Sequence, residues 1–239
     1  MVLKASAVVV AGLVMTAAAG CDGGGKNGTP TTGSLPQHRP GSPAASTPSV
    51  RYTAEQLERA LIKPPADATN VKTESGVADT VLSRLGESGP SAAAGTPAPG
   101  CMARGPAGRW AVGRTPVAFL SFGRGETFST VLLSASSDAQ TRRFLTQALP
   151  KTCRSVRTNV GGTSTTATIV ADDPYAIGEG GRVRETDETT GGVRLRVWEV
   201  DFVGAGYLAS CQVGGLNATR AEAERLARQT YGKAGATLR

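Results

Sequence analysis

Three tetrapeptides share one piece of chemistry and set where helices begin: Thr53-Ala54-Glu55-Gln56, Ser137-Asp138-Ala139-Gln140 and Thr219-Arg220-Ala221-Glu222. In each, a hydroxyl side chain accepts the amide hydrogen three residues on, and the Gln or Glu there reaches back to the first amide. Tyr52 is spaced to staple onto Leu57. Leu57, Leu61 and Ile62 give the first helix its apolar stripe, and Pro64-Pro65 end it. Phe144, Leu145, Ala148 and Leu149 give the second helix one buried face before Pro150, and Leu226, Ala227 and Tyr231 point inward from the third. A weaker helix spans 76–85, carried by Val77, Val81 and Leu85. Between the helices lie strand patterns. Residues 117–122 and 127–134 are compact apolar runs about a turn at Gly123-Arg124-Gly125, and 163–170 alternates weakly. Residues 182–186 and 193–203 read as hairpin arms closed by 187–192, and 207–213 as a further strand. Strands joined by hairpins, with a few helices, predict a single α+β domain: an antiparallel sheet packed against helices.

The head of the chain sets the compartment. Residues 1–21 run from a positive start at Lys4 through an apolar stretch, 5–19, to Gly20-Cys21. That stretch is short for a bilayer span, and small residues follow it, as in a removable secretory signal. Ala18-Ala19-Gly20-Cys21 resembles the lipobox of bacterial lipoproteins, with Ala18 where the pattern prefers Leu. The resemblance implies that Cys21 is acylated and becomes the mature N-terminus, anchoring the rest to the outer face of a membrane. Ordinary secretion with Cys21 a bystander is the alternative, ahead of a retained membrane helix.

Residues 22–50 are dominated by Gly, Pro, Ser and Thr, with little to bury, and read as a flexible tether. Residues 51–100 form a helical segment followed by a low-complexity loop, and 101–239 the main domain. The chain's one histidine, His38, falls in the tether. The folded part therefore lacks an imidazole for Ser or Cys catalysis or for metal ligation. No metal and no cofactor are implied. The formal charge is +7, but the basic residues are dispersed, with no run that reads as a nucleic-acid arm. Outside a cell the available anions are headgroups and wall polymers.

The series of elements then looks familiar: a helix with Tyr52-Thr-Ala-Glu-Gln-Leu, a capped helix ending near Leu149-Pro150-Lys151-Thr152-Cys153, and Ile177-Gly178-Glu179-Gly180. A hairpin, a strand ending in Ser210-Cys211 and a terminal helix complete it. Over roughly 52–239 this resembles the PknH-type extracellular sensor domains of actinobacterial kinases and the related surface lipoproteins. The resemblance implies a single α+β domain with a curved antiparallel sheet and a ligand-binding cleft. The kinase signatures are missing. Three cysteines remain beside Cys21: Cys101, Cys153 and Cys211. An oxidising compartment favours a bridge, and the resemblance implies Cys153–Cys211, of order ~4 kcal/mol on a chain-entropy view. Cys101–Cys153 is the rival pairing, and the odd count leaves one thiol free or linked to another molecule.

Four arginines are the candidate binding chemistry. A hairpin centred on Thr189 sets Arg182 opposite Arg196 and Arg184 opposite Arg194. Directly opposed like charges destabilise a sheet and call for an anion between them, which guanidinium forks suit. The competing reading is a solvated hairpin paired with Glu185, Asp187, Glu188, Glu199 and Asp201. Trp198, Glu199 and Asp201 are cleft candidates. The apolar parity changes near Val197-Trp198, which requires a bulge or a strand covered on both sides. Asp172-Asp173 with Glu179 is a weak calcium candidate, with turn-forming acidic residues as the plainer reading. The leading function is therefore a membrane-anchored extracytoplasmic lipoprotein with a non-catalytic sensor or ligand-binding domain, its ligand an anionic lipid or cell-wall component. An envelope protein-interaction module is the alternative. A carboxylate-only hydrolase built on Glu179, Glu185 and Glu199 comes third.

Overall fold

Thr53 begins the first helix as its spacing requires. The computed structural model describes residues 51–87, 114–135, 148, 151, 154–160, 163–190 and 192–238. Helix α1 is Ala54–Ala60, with Thr53 and Gln56 exchanging both hydrogen bonds of the capping box. Tyr52 and Leu57 are buried in the same core, as the staple predicts. The strands are β1 (Thr69–Val77), β2 (Pro116–Arg124), β3 (Thr127–Ser134), β4 (Ser155–Val160), β5 (Thr163–Tyr175), β6 (Gly181–Thr190), β7 (Val193–Gly204) and β8 (Tyr207–Gly215). Helix α2 is Ala78–Glu87 and helix α3 is Arg220–Thr237, capped by Thr219 and Glu222. The signal, tether and loop residues and the helix expected after Ser137 lie outside the described residues, as do Cys21, Cys101 and Cys153.

All eight strands join one sheet in the order β1-β2-β3-β8-β7-β6-β5-β4, antiparallel at every step and open at β1 and β4. Strands β4 to β8 run as a meander that returns to lie against β3. Register shifts between Thr69 and Lys72 and between Ile169 and Ala171 bend the strands locally. The expected α+β class, a sheet packed against helices, is what forms.

The two faces are covered differently. On one, α1 and α3 pack their Leu57, Leu226 and Ala227 against Leu120, Val131, Val200, Phe202 and Cys211. Each large apolar side chain buried there contributes roughly 1.5–3 kcal/mol. On the other, Ala78 and Val81 of α2 sit on a smaller patch of Val117, Leu132, Val203 and Leu208. Tyr52 closes one pole, its hydroxyl lying 2.6 Å from the Leu238 carbonyl oxygen and 2.8 Å from that of Ala205.

Several expected boundaries move. Gly76 and Val77 end strand β1 instead of opening a helix, and β1 and β4 are additional strands. The β2–β3 turn is Gly125-Glu126, where Gly125 takes a positive φ of 58°. On α3 the inward residues include Thr230 and Ala234, whereas Tyr231 is 42% exposed.

Candidate functional site

The hairpin of β6 and β7 builds the site, and its register corrects the arginine expectation. Its last pair is Thr190 with Val193, so Arg184 lies opposite Glu199, Arg182 opposite Asp201, Arg196 opposite Asp187 and Arg194 opposite Thr189. The face of four guanidiniums does not form. This register exchanges the expected like-charge pairs for opposite ones. Arg194 and Arg196 lie on the helix-covered face and are largely exposed; Arg194 pairs with Asp187, and Arg196 with Glu185 at 2.9 Å. Arg182 and Arg184 lie on the other face and are buried, Arg184 completely.

Around Arg184 the sheet gathers a dense ion cluster. Its Nε is 3.3 Å from Asp172 Oδ1, and its Nη1 donates to Asp201 Oδ2. Arg182 Nε donates to the same Asp172 oxygen at 2.5 Å, and its Nη2 to the Asp172 carbonyl at 2.6 Å. Glu199 Oε1 accepts from Ser210 Oγ and from Gln212 Nε2, each at 2.9 Å. Three carboxyl groups (Asp172, Glu199, Asp201) thus face two guanidiniums. Burial and then the neighbouring Glu199 push Asp201 up to about 7, against the pull of Arg184 and Ser210. Burial works against the charge on Arg184, but Asp201, Glu199 and Asp172 outweigh it and hold the guanidinium above its ordinary value. Burial and Glu199 also raise Glu188, further along the same face of β6. Arg184 Nη2 and Asp201 Oδ1 are buried with no hydrogen-bond partner. A buried polar group left without a partner costs stability.

The cluster is the closed end of a longer feature. Lys72, Ser121, Thr130, Gln212, Glu199, Arg184 and Asp172 are consecutive register partners across β1, β2, β3, β8, β7, β6 and β5. One polar row therefore crosses seven strands, about 29 Å at the usual strand spacing. Burial deepens along it. Lys72 is about one-third exposed, Ser121, Thr130 and Gln212 are half-buried, and Arg184 is inaccessible. A relay runs inward, Thr130 Oγ1 donating weakly to Gln212 Oε1 at 3.4 Å and Gln212 donating to Glu199. Half-buried phenylalanines flank the open part: Phe119 on the α2 side, and on the other side Phe128, whose ring fills the space a Cβ on Gly214 would need. The row was not legible as a unit, because its seven members come from seven separate strands.

The remaining candidates separate. Trp198 projects from the opposite face to Glu199 and Asp201 and packs against the helix-side core. The registers of β7 run unbroken, so no bulge explains its change of parity; its second half is covered on both sides. Asp172 serves the cluster, Asp173 pairs with Arg220 at 2.8 Å, and the Glu179 amide donates to the Val203 carbonyl. The described residues hold no grouping of ligands for a metal ion. Glu185 and Glu199 lie on opposite faces, so they are not a carboxylate pair across one cleft. Cys153, the expected bridge partner, lies outside the described residues, and Cys211 is a free, buried cysteine in this structure. Its thiol donates to Thr230 Oγ1 at 3.5 Å, and burial pushes it up to about 12.

An open antiparallel sheet with helices on both faces and a charged row on one of them defines an α+β domain. Its fold is similar to the extracellular domain of PknH from Mycobacterium tuberculosis, with a TM-score of 0.53 at 12% identity, over 78% of this chain and 98% of that one. An uncharacterised Mycobacterium smegmatis protein, the Rv0999 ortholog, aligns at 11% identity and a TM-score of 0.35, over 74% of this chain and 80% of that one. No family model and no curated protein matches the sequence. At these identities the likeness is one of fold, and a PknH-like fold is what the sequence resemblance predicts.

Proposed function

We propose that the chain is an extracytoplasmic lipoprotein, anchored through Cys21, whose folded domain is a sensor that binds a ligand without catalysis. The leader and the cysteine after Ala18-Ala19-Gly20 support the anchor, and among the described residues no helix is long and apolar enough to cross a membrane. The fold supports the placement outside the cell, since the PknH structure is of an extracellular domain. The absence of catalysis rests on chemistry, because the one histidine precedes the folded part. The observation that carries ligand binding is the polar row that runs from partly exposed Lys72 through half-buried Ser121, Thr130 and Gln212 to buried Glu199 and Arg184. Because Arg182 and Arg184 are internally neutralised, a cell-wall component fits this reading better than an anionic headgroup.

Two experiments test it. Purification from native envelopes followed by mass spectrometry is expected to return a small molecule in stoichiometric amount; an empty protein would refute ligand binding. A Cys21→Ser variant is expected to lose its acyl mass and leave the membrane fraction. Unchanged membrane retention would refute the lipid anchor.

A further inference from the structure

We infer that the open part of the polar row, Ser121, Thr130 and Gln212, backed by the buried Glu199, is a subsite for an uncharged polyhydroxylated chain, a neutral oligosaccharide. This rests on the ligand-binding reading above and names the chemical class that the site takes.

The first argument is charge. Both guanidiniums at the closed end of the row are already engaged, Arg182 by Asp172 and Arg184 by Asp172 and Asp201. An anion approaching the Gln212–Glu199 end of the row meets the Glu199 carboxylate in a poorly screened setting, which disfavours phosphate or carboxylate ligands. A hydroxyl carries no such penalty and both donates and accepts. The second argument is the direction of the relay. Thr130 donates to Gln212, which donates to the Glu199 carboxylate. Every link already points its hydrogen inward, so what the Thr130 hydroxyl offers outward is a lone pair, polarised by the carboxylate at the end of the chain. A sugar hydroxyl donating to Thr130 Oγ1 extends the relay by one link.

The third argument is shape. Ser121, Thr130, Gln212 and Glu199 repeat at strand spacing over roughly 14 Å. Phe119 and Phe128 flank the Ser121–Thr130 step, half-buried on either side. Hydroxyl and amide groups in a line between aromatic rings suit a ligand whose edge is polar and whose face is C–H, as in a pyranose. The flatness of Gly214 lets the Phe128 ring lie across β8 beside the row; a Cβ there would come within 2.1 Å of Phe128 Cζ.

The test titrates the full processed protein, in mild detergent, with neutral tetrasaccharides of N-acetylglucosamine, glucose and galactose, and in parallel with phosphatidylglycerol vesicles. Saturable binding of at least one saccharide is expected, weakened about fivefold to tenfold in Thr130→Val and in Gln212→Leu. A Thr127→Val variant, outside the row, is expected to bind as the wild type. Ser121→Ala serves as a third probe should either row variant fail to fold, and it is expected to weaken binding in the same sense. No saturable saccharide binding, or equal binding by folded row variants, overturns the assignment. A non-saccharide ligand recovered from envelopes would overturn it while leaving the sensor reading standing, whereas an empty protein that also ignores all three sugars would remove both.

Discussion

Asp201 sits where burial, Glu199 and Arg184 contend over one proton. Its folded value, about 7, lies above the ordinary value of 3.8. Between those values the folded chain holds a proton that the unfolded chain has released, so stability falls as pH rises and levels off above about 7. The expected outcome is a urea-unfolding free energy lower at pH 8 than at pH 5, by on the order of 2 kcal/mol from this group. In Asp201→Asn that component is lost, and an unaltered pH slope in the variant would contradict the assignment. Arg184 is tested in the opposite sense. Arg184→Met leaves Asp172 and Asp201 without their shared cation, with an expected loss of roughly 3–5 kcal/mol. Adding Asp201→Asn to that variant should recover part of the loss, because the two groups belong to one network.

At the level of elements, what was legible was local chemistry. Thr53 and Thr219 cap α1 and α3 because a capping box is written in four consecutive residues. Thr219→Ala is therefore expected to cost about 1 kcal/mol in thermal or denaturant unfolding, with the ion cluster untouched. The hairpin of β6 and β7 was legible as a hairpin but not in register. Centring it on Thr189 set arginine against arginine, whereas the pairing of Thr190 with Val193 sets Arg184 against Glu199. A charge census of the two arms would have favoured the second pairing. Strand β1 escaped detection because Thr69–Val77 alternates too weakly in hydrophobicity, as expected of an edge strand covered on little of its length. The burial of Arg184 had no sequence signal, since it depends on Asp172 and Asp201 arriving from two other strands.

For the molecule as a whole, the sequence indicated an antiparallel sheet with helices, and the structure adds which face each helix takes. The helix-covered face stabilises the domain through apolar packing, leaving the α2 face able to hold the charged row. Tyr52 joins the ends of the domain: its hydroxyl serves the carbonyls of both Leu238 and Ala205. Tyr52→Phe strands two acceptors near the C-terminus of α3, and a loss of about 1–2 kcal/mol is expected. Faster amide hydrogen exchange in the final turn of α3 should accompany it, and unchanged protection there would argue against the clasp. The same clasp has a mechanical corollary. A pull applied to the chain ahead of Arg51 arrives first at one phenol, on the same pole where a fused fluorophore or purification handle after the last helix would emerge. Under the proposed Cys21 anchor, a cargo added there would share the pole at which the anchored segment enters. The edge strand β1 lies at the rim of the sheet and is the alternative place to attach it.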